Sequence, residues 1–335
     1  MSVNDEWRHV TERFHSFIAN LRPTAAQRRG AKSAVADVAN CLRPVFHPNR
    51  DFSRTGGGDH IVVGGHAKGT AIQPGIEIDM LYVLPGNLRS RADPGEEILA
   101  PLFHDLTAAL GERYNKIDLS REGWLAVEPP LDPPAETPFC GRTAVRLIPC
   151  FTRPGGGYLI GDAGVASFWR HANPKAEISR LRLANLASSH KATHLIVMLK
   201  AWRQALGIPI PSLALELLVC EFVTLWTYHR RSLLFYDWMV RDFFFWLSHQ
   251  GNREIKIPGG IESLGTGEAW LEATEAAYRR AELACRMERD NRDGEAIRRW
   301  RRIFGFSFPD TAADPMPEVF EFPPHPMPAT AAGGT

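Results

Sequence analysis

Val62–Pro85 reads VVGGHAKGTAIQPGIEIDMLYVLP, and the order of residue types in it organises the rest of the chain. An apolar strand entry, Ile61, Val62 and Val63, meets a Gly64-Gly65 turn. A polar segment, HAKGT, follows, and then an apolar strand that carries Glu77-Ile78-Asp79. Residues two apart on a strand share a face, so Glu77 and Asp79 project side by side while Ile78 and Met80 point the other way. Two carboxylates held that close repel unless a cation sits between them. The glycine turn exposes backbone N–H groups with no bulk around them, which suits a phosphate chain. A Gly-Gly pair alone is usually a turn, and an acidic strand face alone is usually solvated. In this order and spacing they describe a site for a metal nucleoside triphosphate.

Composition sets the bounds. With 335 residues, 44% of them hydrophobic, the chain can bury a sizeable core as two domains or one bilobal unit. Lys plus Arg number 39 against 38 Asp plus Glu, so no basic excess calls for an obligatory nucleic-acid partner. Five widely spaced cysteines, Cys41, Cys140, Cys150, Cys220 and Cys285, include no Cys-x-x-Cys pair and point to a reduced, cytoplasmic protein. The charged N-terminus lacks an apolar signal core. The apolar block Leu213–Trp226 is interrupted by Glu216 and Glu221, which makes it a buried helix and not a membrane span.

Periodicity places a first helix through Trp7, Val10, Phe14, Phe17, Ile18 and Leu21, stopped by Pro23. A second starts at Thr24 as N-cap and ends near Cys41, before Pro44. Phe46–His60 reads as a loop whose Gly56-Gly57-Gly58 is a connector or a lid. After the acidic strand, Gly95–Tyr114 has helical spacing, and Lys116–Val127 and Thr143–Phe151 alternate as strands around a Pro-rich loop. Asn173 caps a helix beginning at Pro174. Thr193–Ala205 is a further helix, on which Lys200 reads locally as a surface lysine, and Ser212 reads as the N-cap of the next. His190 and His194 lie one helical turn apart without an acidic or Cys partner nearby, so a zinc site is not expected. The aromatic run Tyr228–Leu247 reads as core.

The Gly-Gly turn followed by acid-hydrophobic-acid resembles the signature of the polymerase-β nucleotidyltransferase superfamily. Within it, GGHAKGTAIQPGIEIDMLYVLP is most similar to the bacterial cGAS/DncV-like nucleotidyltransferases, the CD-NTases, with Gly65 where Ser is commoner. The likeness continues through PGGGYLI at 154–160, WRHANP at 169–174, LKAW around Lys200, Ser212, and RRWRRIFGFSFP near the end. It implies an α+β fold, a polymerase-β-like mixed sheet with flanking helices plus a C-terminal helical lobe. The expected division is a catalytic lobe at 1–170 including the N-terminal helices, a helical lobe at 171–309, and a disordered tail at 310–335. Glu77 and Asp79 are implied as catalytic metal ligands, with Gly64, Gly65, Lys200 and Ser212 holding the triphosphate. The activity implied is synthesis of a cyclic di- or trinucleotide from NTPs such as ATP and GTP. Such a product is an anti-phage second messenger of the CBASS type, read by a separate effector. In some systems of this family a ubiquitin-conjugation-like partner joins the C-terminus to a target.

One residue departs from the family. Val145-Arg146-Leu147-Ile148-Pro149-Cys150-Phe151 aligns with V-D-V-V-P-A-F, placing Arg146 where a third carboxylate is expected. Three readings stay open. Arg146 turns away and a nearby acid such as Asp118 or Glu128 supplies the ligand; the guanidinium takes over part of the charge-neutralising role and a slower, one-metal enzyme remains; or the chain is a catalytically impaired nucleotide-binding pseudoenzyme. A one-residue slip, leaving Arg146 as an exposed strand residue, is a fourth.

Overall fold

The computed structural model describes residues 8–50, 58–73, 77–91, 99–119, 124–128, 144–162, 168–229, 235–260 and 262–310. Helices α1 (Arg8–Leu21) and α2 (Ala25–Phe46) lead the chain. The Thr24 hydroxyl accepts the Gln27 N–H at 3.2 Å, and the Gln27 side chain accepts the Thr24 N–H at 2.7 Å, so two otherwise orphaned donors are satisfied reciprocally. The sequence ends this helix near Cys41, but it runs through Pro44 to Phe46. Proline there forfeits a single ladder bond, buried Phe46 anchors the last turn, and the His47 N–H closes it on the Arg43 carbonyl at 2.8 Å.

The sheet and its covering helices follow: β1 (His60–Val63), the one-turn α3 (Gly64–Lys68), β2 (Glu77–Val83), α4 (Leu99–Gly111), β3 (Ile117–Leu119), β4 (Leu125–Val127), β5 (Ala144–Thr152), β6 (Tyr158–Asp162) and β7 (Phe168–Ala172). The strand order is β1-β2-β5-β4-β3, with β6 on the far end of β5 and β7 on β6. Among the described residues only β2 and β5 pair in parallel, which makes the sheet mixed. The stretch read as one strand, Lys116–Val127, contains the paired strands β3 and β4. The two faces of β2 pack into separate clusters: Ile78, Met80 and Tyr82 join Val145 and Leu147 in a core closed by α2 and α4. On the other face, Leu81 and Val83 pack with Val63 and Cys150, while Glu77 and Asp79 lie beyond that apolar patch at a cleft.

The helical lobe comprises α5 (Pro174–Ala187), α6 (Lys191–Leu206), α7 (Ser212–Leu225), α8 (Tyr236–Leu247), the pair β8 (Glu254–Lys256) and β9 (Ser263–Gly265), α9 (Leu271–Arg289) and α10 (Asp293–Phe304). Asn173 caps α5 as its sequence requires, its side-chain oxygen accepting the Ala176 N–H at 3.1 Å. The aromatic run supplies core through Tyr236, Phe243 and Phe244. His194 is buried against the Tyr236 hydroxyl.

Helix α1 lies against the helical elements. Its apolar stripe packs into the helical core, with Phe14 on Trp300 and Phe17 on Phe304 at centroid separations of 5.1 and 4.8 Å. Fully buried Arg13 reaches Glu288 on α9 at 3.3 Å. The apolar spacing of α1 predicts a buried face but not which layer buries it, and the closing aromatics of α10 and Phe308 are what it meets. Residues 51–57 of the glycine-containing loop, the Pro-rich loop and the tail beyond Asp310 lie outside the described residues. Among the described residues no helix is long and apolar enough to cross a membrane.

Candidate active site

Asp79 sits where it does because of Gly64. The sequence reads Gly64-Gly65 as a turn; the chain instead enters the one-turn helix α3 there, with Gly64 at φ 61°. A Cβ on Gly64 would stand 1.8 Å from Asp79 Oδ2, so the carboxylate is seated directly against bare backbone. A Cβ on Gly65 would meet the Ala71 backbone at 3.2 Å. Glu77 is exposed at the start of β2, two residues before Asp79 on the same face, and pairs with no cation among the described residues. Two oxygen donors beside a glycine cradle form a hard-ligand set that fits Mg²⁺ or Mn²⁺ with its retained waters.

Strand register settles where Arg146 stands. On the parallel neighbour β5, Glu77 lies opposite Ala144 and Asp79 opposite Arg146. The one-residue slip is therefore excluded. Arg146 Nε donates to Asp79 Oδ1 at 2.6 Å, and its Nη2 lies 2.5 Å from the same oxygen. The guanidinium also rests over the Trp124 ring at 5.4 Å. Of the two alternative acids, Asp118 is two strands away, reached through Ala126. Glu128 lines the cleft and lies 3.4 Å from Lys116. A second divalent ion about 4 Å from the guanidinium would meet a repulsion of roughly 8 kcal/mol at an effective dielectric near 20.

Opposite the sheet, four charged groups bridge the lobes. Lys68 on α3 pairs with Glu177 on α5 at 2.6 Å and Glu216 on α7 at 2.8 Å. Lys200 on α6 reaches Glu216 at 2.6 Å and the Thr70 hydroxyl at 3.0 Å, and Thr70 also donates to Glu216 at 3.2 Å. Burial alone would push the Glu216 carboxyl up; Lys200 and Lys68 outweigh it and hold the group below its ordinary value. Burial would likewise pull Lys68 down, and Glu216 and Glu177 raise it. Burial lowers His66, on α3 between Asp79 and Lys200, with Lys200 adding to the effect and Asp79 opposing it.

Sequence reading assigned no site role to Lys68, Thr70, Glu177 or Glu216. The signal was present in Glu216, since a lone acid inside the apolar run LALELLV has to find a cation. Ser212 is the first residue of α7 and not its cap: the cap position is Pro211, without a side-chain hydrogen bond.

All six sequence-derived residues, Glu77, Asp79, Gly64, Gly65, Lys200 and Ser212, line one cleft of about 1120 Å³ between the sheet and α5–α7. Acids stand on one wall, with a lysine, a hydroxyl and the start of a 14-residue helix on the other. That arrangement can clamp a polyphosphate between a carboxylate-held cation and fixed positive groups.

A mixed sheet with a two-acid strand, flanked by helices and facing a mainly helical region across a cleft, is the polymerase-β-type nucleotidyltransferase fold. Residues 9–185, just over half of the chain, match the SMODS model, described as the Second Messenger Oligonucleotide or Dinucleotide Synthetase domain, and the chain belongs to that family, the bacterial CD-NTases. Three solved structures share the fold. The Vibrio cholerae DncV cyclic AMP-GMP synthase, in complex with the linear intermediate 5′ pppA(3′,5′)pG, is 14% identical with a TM-score of 0.65, over 89% of this chain and 97% of that one. CdnC from E. coli MS115-1 with ATP is 16% identical, TM-score 0.59, over 88% and 98%. The STING-associated CdnE c-di-GMP synthase from Capnocytophaga granulosa is 11% identical, TM-score 0.59, over 82% and 85%. Among curated protein sequences none matches significantly.

Proposed function

We propose that the protein binds nucleoside triphosphates with Mg²⁺ or Mn²⁺ in this cleft and joins them into a cyclic di- or trinucleotide, a cytoplasmic second messenger for anti-phage defence. The observation that carries the reading is the pair Glu77 and Asp79 on one face of β2, with Asp79 seated on Gly64 opposite Lys200 and Ser212. Glu77 and Asp79 would hold the ion, which when bound would screen the triphosphate and lower the pKa of an attacking hydroxyl. Lys200, Ser212 and the Gly64 and Gly65 backbone position the phosphates. A ribose hydroxyl of the acceptor forms a bond to the α-phosphorus, the α–β anhydride breaks, pyrophosphate leaves, and the hydroxyl proton passes to water. The protein supplies positioning and charge compensation.

Solved relatives named for a cyclic AMP-GMP synthase, a c-di-GMP synthase and an ATP complex support this substrate class. A structure named as a CdnC:HORMA complex supports a protein regulator for that relative, and a regulator here, whether of that kind or a conjugating partner acting on the tail, belongs to the same proposal, as does the effector that reads the product. The lobe limits at 170 and 309 are part of it too.

A nucleotide-binding protein without turnover is the second reading, favoured by the Asp79–Arg146 ion pair. Incubation with labelled NTPs and Mg²⁺ or Mn²⁺ separates them. A phosphatase-resistant product that vanishes in Glu77→Ala/Asp79→Ala supports the synthase; silence in every mixture with nucleotide still binding supports the second reading.

A further inference from the structure

We propose that Arg146 is a catalytic residue whose guanidinium permanently occupies the place of a second metal ion, so that the cleft works with a single divalent cation. The inference rests on the proposed reading of the cleft. Two-metal phosphoryl transfer places its ions about 3.5–4 Å apart, one at each side of the reacting phosphorus, with shared carboxylates between them. In this chain the Asp79 oxygens are already divided. Oδ2 lies against Gly64, and Oδ1 is taken by both Nε and Nη2 of Arg146.

Trp124 backs the guanidinium, and register with Asp79 holds its backbone, so the charge is fixed on two sides. Arg146 also lines the cleft. Two of its five N–H groups face Asp79. Nη1 and the second Nη2 hydrogen have no hydrogen-bond or ion-pair partner among the described residues, which leaves a planar fork for a phosphoryl oxygen. Glu77 and the remaining capacity of Asp79 suffice for a single ion.

In the transfer step the acceptor oxygen bonds to the α-phosphorus as the α–β anhydride breaks. The fork of Arg146 meets the charge that develops on the α-phosphoryl oxygens, and the hydroxyl proton goes to water. A cation supplied by side chain needs no loading, and arginines placed on transferring phosphoryl groups in other enzymes contribute on the order of 10³–10⁵ in rate.

The test counts Mn²⁺ by electron paramagnetic resonance on the full chain with an α,β-methylene NTP analogue. Expected are one Mn²⁺ per chain in the wild type, no Mn–Mn coupling, and a second, coupled Mn²⁺ in Arg146→Asp. Arg146→Ala retains one Mn²⁺ and lowers product formation at least 10²-fold at saturating metal. Two coupled ions in the wild type, reduced to one by Glu128→Gln or Asp118→Asn, overturn the proposal and assign the missing ligand to that carboxylate. A folded Arg146→Asp that still binds a single ion also overturns it. If Arg146→Asp does not fold, the wild-type count and Arg146→Ala decide between one ion and two. No Mn²⁺ in any variant, with analogue affinity unchanged by Glu77→Gln, is a different failure: it removes the metal-nucleotide reading of the cleft itself.

Discussion

Gly64→Ala isolates the seat of Asp79. The new methyl carbon would stand 1.8 Å from Asp79 Oδ2, against an ordinary contact of at least about 3.2 Å, so carboxylate and methyl must separate by roughly 1.4 Å. The same residue sits at φ 61°, where an alanine costs about 1–2 kcal/mol. The expected outcome has two parts: a loss of about 1–3 kcal/mol in thermal unfolding, and a fall on the order of 10²-fold in Mn²⁺ affinity and turnover, the usual consequence of a 1 Å misplacement. Gly69→Ala is the control. It lies at φ 68° with no atom within 4 Å of its Cβ, so it pays the backbone cost and leaves metal binding intact. Equal, wild-type metal affinity in both variants refutes the seating of the ion on Asp79.

Glu216→Gln leaves Lys68 with Glu177 and Lys200 with Thr70 alone, and breaking such a buried cluster is expected to cost about 3 kcal/mol, read as a Tm several degrees lower. Thr24→Ala removes one half of the reciprocal cap of α2 and is expected to cost about 1 kcal/mol in thermal unfolding without affecting nucleotide binding. The third concerns Asp237, Cys285 and Glu288, whose ligating atoms cluster within 4.8 Å in the helical core. Burial pushes the Asp237 carboxyl up to about 7, and burial with Asp237 beside it raises Glu288. A carboxyl raised on folding adds stability that is complete below its unfolded value near 4 and is lost as pH rises through 7. Glu216 is held low and is ionised in both states over this range. The buried histidines His15, His66 and His194 are held below their ordinary value and pull the other way below about pH 6.5, so the acids are read as a difference: the stability of Asp237→Asn relative to wild type is expected to rise by about 2–3 kcal/mol between pH 5 and 7.5. A difference between the two proteins that stays flat or falls across that window contradicts the burial of Asp237 in its neutral form.

The acid-bearing strand was legible because its signal is local: period-two alternation fixes which face Glu77 and Asp79 share, and Ile78, Met80 and Tyr82 are buried on the other. Caps at Thr24 and Asn173 were legible for the same reason, since each hydrogen bond closes within three residues. Less local features escaped. Nothing in the stripe of α1 says that its partners are Trp300 and Phe304, nearly three hundred residues on. The Lys68–Glu177–Glu216–Lys200 cluster joins four elements, and its members are individually ordinary. Arg146 was legible as a departure, but only strand pairing shows that it grips Asp79 and does not turn away.

The most direct measurement is mass spectrometry of the purified chain after incubation with mixed NTPs and Mn²⁺. A cyclic di- or trinucleotide made by the wild type and absent from Glu77→Ala/Asp79→Ala is the predicted result. A product made equally well by the double variant, or only open-chain products longer than three units, contradicts a cyclic-oligonucleotide synthase built on these two carboxylates.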